Sequence, residues 1–488
     1  MLLLFSAKYK NDLTEAFYII CNTGLFLCFD SNFKDNLSMF QKSIFQTTID
    51  VIFLYSKFVK AYMKNEKKDI RFFYAGQSLL EDFTFRVSVN HKFGITELLH
   101  QNKLLILKLF RKKDDLKSGK PIGLFCENID QLHRFRHMDY LSQNAGIKID
   151  TILTRDDIIY RTSYSFLLFS IFLMIAYIPF YIYLTLRKIR PDNAVLLITE
   201  IFEASFLLYQ VKILSINTVY FFDAYQIDTN SISLTFIQKK IDIYTVFDIV
   251  PLASHNRNVV SNHAIFCNPY HEEEYTHNKD HILLNDFTFW VPLSIVEYKL
   301  RSHRYNTKLT NENTIGLYSH AAWLRREWGR PDSHIGDIES EMNLISVLDE
   351  IVASLHAKIL IFLHPIEKEN YEHNNVYKYY ENEFPTCNWE IFDRNKNPFD
   401  NFSYINTGLG CYTSILHERL MCGYKTVFYT SKIKNGFPIE DSSLFRISAN
   451  NPVRLRTLLQ KIIPIETNFY YNKFNLNKYK KYNLNTVK

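Results

Sequence analysis

Short apolar runs alternate with amphipathic stretches along much of the chain. Helical spacing of apolar residues is clearest at 201–214 and 341–356. The runs that resemble buried strands are KPIGLFCEN (120–128), IKIDTIL (147–153), AVLLIT (194–199), TVYFFDAY (218–225), IYTVFD (243–248), HAIFCN (263–268), TIGLYS (314–319), KILIFLHP (358–365), SYINTGLG (403–410) and KTVFYT (425–430). Short β-rich runs separated by helices are typical of βαβ units and mostly parallel sheets. The pattern predicts an α/β protein.

A polar stretch divides the strand-and-helix pattern into two series. Residues 297–313 are charged, lack apolar periodicity and predict an interdomain linker. We therefore expect an N-terminal α/β domain over 1–296 and a C-terminal α/β domain over 314–465. The remaining segment, 466–488, is rich in Tyr, Asn and Lys. It predicts a basic tail, either solvated or in contact with anionic lipid.

The longest uncharged run lies in the N-terminal series, at 162–186. Its 25 residues exceed the roughly 20 apolar residues that a helix needs to cross a bilayer. Pro179 would kink or break such a helix. A single span, a kinked interfacial helix and a buried helix all fit the run, and membrane contact is the prediction. Because the first apolar run of the chain ends before Lys8, no export signal is predicted, and we expect the cytoplasmic face of a membrane.

Composition excludes several other classes of protein. The net charge of +6 is too small and too dispersed for a nucleic-acid-binding surface. The seven cysteines are scattered and form no C-x-x-C pair, which predicts reduced thiols and neither a zinc site nor a disulfide framework. P-loop, dinucleotide-binding and G-x-S-x-G signatures are absent from the sequence. The sequence gives no reason to expect a cofactor.

Candidate ligand-binding residues follow the predicted strands of the C-terminal domain, where ligands of open parallel sheets bind. His364 closes one strand before a proline and precedes Lys368. Ser319 follows another strand and precedes Arg325. A histidine, a hydroxyl and two cations at strand ends are all able to contact a phosphate group.

A third strand end combines glycines with hydroxyl groups. Gly408 and Gly410 predict a tight turn, and Thr413 and Ser414 then fall at the start of a helix. Hydroxyls and free N–H groups at a helix N-terminus, together with the helix dipole, form a pocket for an anion. Ordinary N-capping by Thr or Ser explains the same pattern and stays open as an alternative.

The order of these features resembles the bacterial sialyltransferases and the related Kdo (a deoxy-octulosonic acid) transferases. Those families carry an HP motif and a Ser-Ser or Ser-Thr motif in the C-terminal domain of a GT-B fold, in which two Rossmann-like parallel-sheet domains face a cleft. The resemblance covers about 314–465 and implies that His364 contacts the phosphate of a CMP-activated sugar acid. It places Thr413 and Ser414 on the oxygens of the same phosphate. Here the motif reads Tyr-Thr-Ser, which keeps the hydroxyls.

Those families also use an acid-acid-Gly motif, whose acid acts as general base, and this chain lacks that tripeptide. The nearest equivalent is FFDAYQID, with Asp223 at a strand end and Asp228 five residues on. Glu200 and the cluster Glu272–Glu274 are alternatives. A buried carboxylate with a raised pKa could accept the proton of an acceptor hydroxyl. No Asp-x-Asp occurs at a strand end, so a metal ion is not required.

These features predict a metal-independent glycosyltransferase that moves a sialic-acid-like or Kdo-like sugar from a CMP donor to a surface glycan, as in capsule or lipopolysaccharide synthesis. A lipid-linked acceptor would explain the apolar run. A UDP- or GDP-sugar transferase is the first alternative, with Arg325 or Lys368 at the second phosphate. A non-catalytic membrane-bound glycan-assembly protein with a decayed GT-B fold is the second. The missing acid-acid-Gly motif favours that second alternative, whereas the retained His364 and hydroxyl pair disfavour it.

Overall fold

The computed structural model describes seven parts of the chain, with short gaps inside those that begin at 201, 258 and 313: residues 39–80, 122–126, 151–154, 201–222, 229–247, 258–298 and 313–480. Asp223, Asp228 and Glu200 lie outside the described residues, as do the 162–186 run and nearly all of the predicted linker. Within the described ranges, no helix has the length and apolar character needed to cross a bilayer.

The described residues form two compact units whose limits differ from the predicted domains. The N-terminal unit runs to residue 246 and also includes 258–265 and 280–288. The C-terminal unit includes 266–279 and everything described after 288. The boundary predicted at residue 296 is therefore replaced by several chain crossings.

The N-terminal unit is built around a sheet with strand order β2-β1-β3-β4-β6-β8. The pairings of β1 with β2 and β3, of β3 with β4, and of β4 with β6 are all parallel. The pair β5-β7 forms a separate small sheet. The strands are β1 Ile122–Cys126, β2 Thr151–Thr154, β3 Thr218–Phe222, β4 Asp242–Val246, β5 Val259–Val260, β6 His263–Phe266, β7 Ile282–Leu283 and β8 Asp286–Phe289.

Helices α1 (Met39–Met63), α2 (Ile70–Leu80) and α3 (Thr229–Gln238) pack in this unit, and a 3-10 turn at 67–69 joins the first two. Their apolar faces share one core with the sheet, in which Phe58, Leu79 and Phe236 are buried. The described residues between 201 and 212 are also helical, as their periodicity predicts.

The C-terminal unit contains a six-stranded sheet in the order β11-β10-β9-β12-β13-β14, with every pair parallel. Every residue of β9, β12 and β13 is buried, which is typical of parallel strands covered on both faces. The strands are β9 Thr314–Tyr318, β10 Lys358–Phe362, β11 Asn388–Ile391, β12 Thr407–Gly410, β13 Thr426–Tyr429 and β14 Ser448–Ala449. The structure thus confirms an α/β fold with parallel sheets.

Helices connect these strands. In chain order they are α4 Pro269–His277, α5 Ala322–Glu327, α6 Asp337–Ser354, α7 Pro365–Glu369, α8 Val376–Glu383, α9 Ser414–Met421, α10 Pro452–Ile462, α11 Thr467–Lys473 and α12 Asn477–Lys480, with 3-10 turns at 398–404 and 445–447. Local sequence sets several of the boundaries. Asn451, for example, caps α10 by accepting the N–H of Arg454 at 2.9 Å, and Pro452 occupies the first helical position.

The folded C-terminal unit extends past the predicted boundary at 465. Residues 467–473 and 477–480 are helical, and Tyr470, Tyr471 and Tyr479 are buried. The Tyr470 hydroxyl donates to the carbonyl of Thr426 at 2.6 Å, which ties α11 to β13. The part of the predicted tail that the structure describes is therefore core rather than solvated chain, because its tyrosines pack and hydrogen-bond inside the unit.

Candidate functional site

The strand order of the C-terminal sheet places three loops side by side. The chain builds outward from β9 through β10 to β11, then returns and builds the other way through β12, β13 and β14. The order therefore reverses between β9 and β12, and ligands of open α/β sheets bind at the carboxyl ends of strands at such a point. His364 follows β10, Ser319 follows β9, and the pair Thr413-Ser414 follows β12.

His364 is held in one orientation by the start of α7. Its Nδ1 accepts the backbone N–H of Ile366 at 3.2 Å, and its own backbone N–H donates to Glu367 Oε2 at 2.9 Å. Because Nδ1 is an acceptor, the hydrogen of the neutral ring is assigned to Nε2. Burial, with smaller contributions from His320 and Arg325, lowers the pKa of His364 to about 4. The residue is a neutral imidazole that can donate from Nε2.

Thr413 is the N-cap of α9 and has the extended backbone of a cap, but its side chain makes no capping hydrogen bond. Thr413 and Ser414 are both half-buried. A first turn without a side-chain cap leaves backbone N–H groups and the positive end of the helix dipole for an outside acceptor.

Gly408 and Gly410 do not form the predicted turn. Both lie within β12, and neither is among the glycines with positive φ. A Cβ on Gly408 would lie 2.6 Å from Cδ of Arg419, and one on Gly410 would lie 3.0 Å from the carbonyl oxygen of Tyr318. These glycines therefore allow close packing under the site rather than a tight turn in it.

The loop after β9 is folded around a buried carboxylate. Glu341, which is 1% exposed, accepts the backbone N–H of His320 at 2.5 Å and that of Ala322 at 3.1 Å. Ser319 donates its hydroxyl to Glu341 at 3.3 Å and accepts the N–H of Ala321, which has φ of 56°. The Ser319 hydroxyl, predicted to contact a ligand, is 6% exposed and bonded within the loop.

His320, which follows Ser319 in the loop after β9, lies beside His364. Its ring centroid lies 5.9 Å from that of His364 in an edge-to-face arrangement. Its Nδ1 lies 3.2 Å from Asp337 Oδ2, at an angle that does not make a hydrogen bond. Arg325 contacts the same carboxylate oxygen at 3.7 Å through a terminal guanidinium nitrogen.

Glu367 is the second buried carboxylate beneath the site. It accepts from Trp323 Nε1 at 2.7 Å and from the Tyr380 hydroxyl at 2.8 Å, besides the backbone N–H of His364. Burial raises the pKa of Glu367, and it raises the pKa of Glu341 to about 7. Neither carboxylate was predicted from the sequence.

Two other sets of predicted residues have clear positions. Lys368 lies half-buried on α7 and, among the described residues, makes no ion pair. The glutamate cluster lies on α4, where Glu273 accepts from the Ser443 backbone and hydroxyl and pairs with Lys478. These bonds engage Glu273 in holding the unit together. Over the residues that the structure describes, no group of three or more His, Cys, Asp or Glu is arranged to hold a metal ion.

Comparison with known proteins gives only distant similarities. No family model and no curated protein matches the chain. A UDP-GlcNAc 2-epimerase from Neisseria meningitidis bound to UDP-GlcNAc aligns at 12% identity and a TM-score of 0.36, covering 81% of this chain and 97% of that one. Sucrose-phosphate synthase from Thermosynechococcus elongatus aligns at 10% identity and a TM-score of 0.37, over 75% and 96%.

A glycosyltransferase from Rickettsia africae aligns at 10% identity and a TM-score of 0.35, over 75% of this chain and 99% of that one. At these identities and TM-scores, we infer the function of this chain from the residues of its own C-terminal sheet.

Proposed function

We propose that the chain is a glycosyltransferase of the GT-B kind whose C-terminal unit binds the phosphate of a nucleotide-sugar donor. The observation that carries this proposal is the neutral His364, whose Nδ1 accepts the N–H of Ile366 and leaves Nε2–H as the donor. It stands at the same sheet edge as the N-terminus of α9, where Thr413 makes no side-chain capping bond. A fixed donor and a free helix N-terminus are the two elements of an anion pocket.

The chemistry of transfer explains why such a pocket is useful. As the glycosidic bond to the donor breaks, negative charge grows on the phosphate oxygens of the leaving nucleotide. Donors that are already oriented toward those oxygens stabilise that charge without reorganising. His364 would supply one hydrogen bond, and Thr413 with Ser414 would supply hydroxyls and N–H groups. In this proposal Asp223 or Asp228 accepts the proton of the acceptor hydroxyl.

A CMP-linked sugar acid is the proposed donor, because one phosphate group matches one anion pocket. A diphosphate donor would need a further cation. Arg325 already contacts Asp337, whereas Lys368 makes no ion pair in the described part of the chain. Lys368 is therefore the residue through which a UDP- or GDP-linked donor would be bound instead.

Isothermal titration of the full chain with CMP, UDP and GDP tests the assignment. We expect CMP to bind most tightly and to raise the melting temperature, because a ligand that binds only the folded state stabilises it. Tighter binding of UDP or GDP that disappears in Lys368→Ala would replace the CMP assignment by the diphosphate alternative. If no nucleotide binds, the glycosyltransferase proposal fails.

The acceptor and the site of action are also proposals. A surface glycan on a lipid carrier would account for the uncharged run at 162–186, which would hold the protein at the cytoplasmic face of a membrane. Two Asp substitutions within this run are expected to release the protein from the membrane fraction or to prevent folding. Wild-type protein found wholly in the soluble fraction without detergent would contradict membrane attachment.

A further inference from the structure

We infer that Glu341 and Glu367 are positioning residues, which hold the loops after β9 and β10 so that His320 and His364 are presented to the ligand. The inference deepens the proposed function and rests on it. Both residues are buried, at 1% and 0% exposure. They would act through the two imidazoles.

Glu341 occupies a backbone anion site. The N–H groups of His320 and Ala322 point to its two oxygens, and the Ser319 hydroxyl joins them. Between them Ala321 adopts a left-handed backbone conformation, which is unfavourable for an alanine. Successive N–H groups around a left-handed residue form the concave site that binds anions in many proteins. Here the anion is the carboxylate of Glu341 on α6, so a side chain of the same unit fixes the conformation of this loop.

Glu367 does the same for the β10 loop through a capping box. Its side chain accepts the N–H of His364, while the His364 side chain accepts the N–H of Ile366. The carboxylate thereby fixes the turn that brings Ile366 to Nδ1. Losing the carboxylate would free the turn, and the ring would no longer be held in the Nε2–H form.

A neutral amide could not replace Glu367. The two oxygens of Glu367 accept from an indole N–H, a phenol O–H and a backbone N–H, and all three groups act as donors. A glutamine has one acceptor oxygen and an NH₂ group that would face some of these donors. Retaining a buried charge here is costly for folding unless it is fully hydrogen-bonded, as it is.

The two carboxylates are also close to each other. Ala322 donates its backbone N–H to Glu341, and the next residue, Trp323, donates its indole N–H to Glu367, so one stretch of α5 bonds both carboxylates. The titratable groups that interact with this pair are His320, Cys411 and, on α8, Tyr379 and Tyr380. The ends of β9 and β10 are thus held by one hydrogen-bonded cluster.

Helix α6, which carries Glu341, also offers a matched control. Asp349, near the C-terminus of α6, is a buried carboxylate that accepts the N–H groups of Thr386 and Cys387. It therefore holds a loop just as Glu341 does, but at the amino end of β11, away from the candidate site. Asp349→Asn removes a comparable bond without touching either imidazole.

The test is ¹⁵N NMR of the imidazoles in the full-length chain, labelled at histidine, for wild type, Glu367→Gln, Glu341→Gln and Asp349→Asn. Signals are assigned by their loss in His364→Gln and His320→Gln. In wild type we expect His364 as the Nε2–H tautomer. Glu367→Gln should convert it to a mixture and leave His320 unchanged. Glu341→Gln should shift the His320 signals and leave His364 unchanged, and Asp349→Asn should change neither.

Titration with CMP gives the second measurement. Each Gln variant should bind about tenfold more weakly, the size expected from losing one charged-group hydrogen bond, while Asp349→Asn should stay within about twofold of wild type. An unchanged His364 tautomer in Glu367→Gln, or equal loss of CMP binding in all three variants, would overturn the inference. If wild type binds none of CMP, UDP and GDP, the proposed function fails, and the NMR still decides whether the carboxylates fix the imidazoles.

Discussion

Gly408 lies against the side chain of Arg419, so that a Cβ in place of its hydrogen would be 2.6 Å from the arginine Cδ. Arg419 is fully buried and forms no ion pair with a carboxylate in the part of the chain that the structure describes. Its guanidinium donates to the carbonyls of Phe402 at 2.9 Å and Ile405 at 2.7 Å, and through Nε to that of Lys425. A buried cation held by carbonyls has little freedom to move aside.

The first prediction follows from that contact. Gly408→Ala should lower the free energy of unfolding by about 1–3 kcal/mol, as overpacking of a rigid core does. Chemical denaturation measures the change. Gln460→Ala, at an exposed position on α10, should stay within about 0.5 kcal/mol of wild type. Equal stability of Gly408→Ala and wild type would show that the Arg419 side chain can shift.

The second prediction concerns pH and His417. This fully buried histidine accepts at Nδ1 from Asn268 at 3.0 Å, and burial lowers its pKa to about 3. Between about pH 3 and its ordinary 6.5 the unfolded chain binds a proton that the folded chain does not. Stability therefore rises with pH across this window, by up to about 1.4 kcal/mol per unit.

Other groups also titrate in this pH range, so the measurement compares wild type with a variant that lacks His417. His364 adds to the same slope, whereas Glu341, with a pKa raised to about 7, opposes it as the pH rises from 4.5 to 7. His417→Gln should remove only the His417 contribution. Denaturation of wild type and His417→Gln at pH 5 and pH 7 should show a smaller rise in stability in the variant, and an equal rise would contradict the assignment.

The third prediction separates the phosphate contacts. His364→Ala should weaken CMP binding roughly tenfold to a hundredfold, because a hydrogen bond to a charged group is worth about 1.5–3 kcal/mol. Lys368→Ala is the matched control on the same helix. It should leave CMP binding nearly unchanged if only one phosphate is bound. Equal losses in the two variants would mean that Lys368 also contacts the nucleotide.

The fourth prediction separates binding from turnover. If Asp223 is the general base, Asp223→Ala should bind CMP nearly as wild type does, while turnover falls about 10²- to 10⁴-fold. Titration with CMP and a transfer assay on the same protein give the two values. Full activity in Asp223→Ala would move the search to Asp228, Glu200 and Glu272.

The sequence predicts the central strands well and the edges of the sheet poorly. β9, β12 and β13 are buried at every residue, and none of the three contains a charged residue. β11 reads NWEI and alternates between exposed and half-buried residues, and β14 has two residues. β11 carries no apolar signal because two of its four residues are exposed, whereas β14 is buried but too short to show a pattern.

Residues of the candidate site also differ in how well the sequence predicts them. The positions of His364, Thr413 and Ser414 beyond strand ends were predictable, since each follows a predicted strand, and their contact with a phosphate is the proposal. Glu341 was not predictable, because a glutamate on an amphipathic helix is indistinguishable from one that faces solvent. The role of Glu367 is visible in the sequence, because a glutamate three residues after an N-cap residue is the capping-box pattern.

The C-terminal unit is not one continuous stretch of chain, because it includes the segment 266–279 as well as the residues after 288. Asn268 bonds to His417, Tyr270 accepts the N–H of Ile439 at 2.7 Å, and Glu273 holds Ser443. A fragment cut at the polar stretch before residue 314 would lose all three contacts and expose the apolar surface around Phe437 that Tyr270 covers. The C-terminal unit is therefore not separable from the rest of the chain by a single cut, and its exchange as one continuous piece would have to include helix α4.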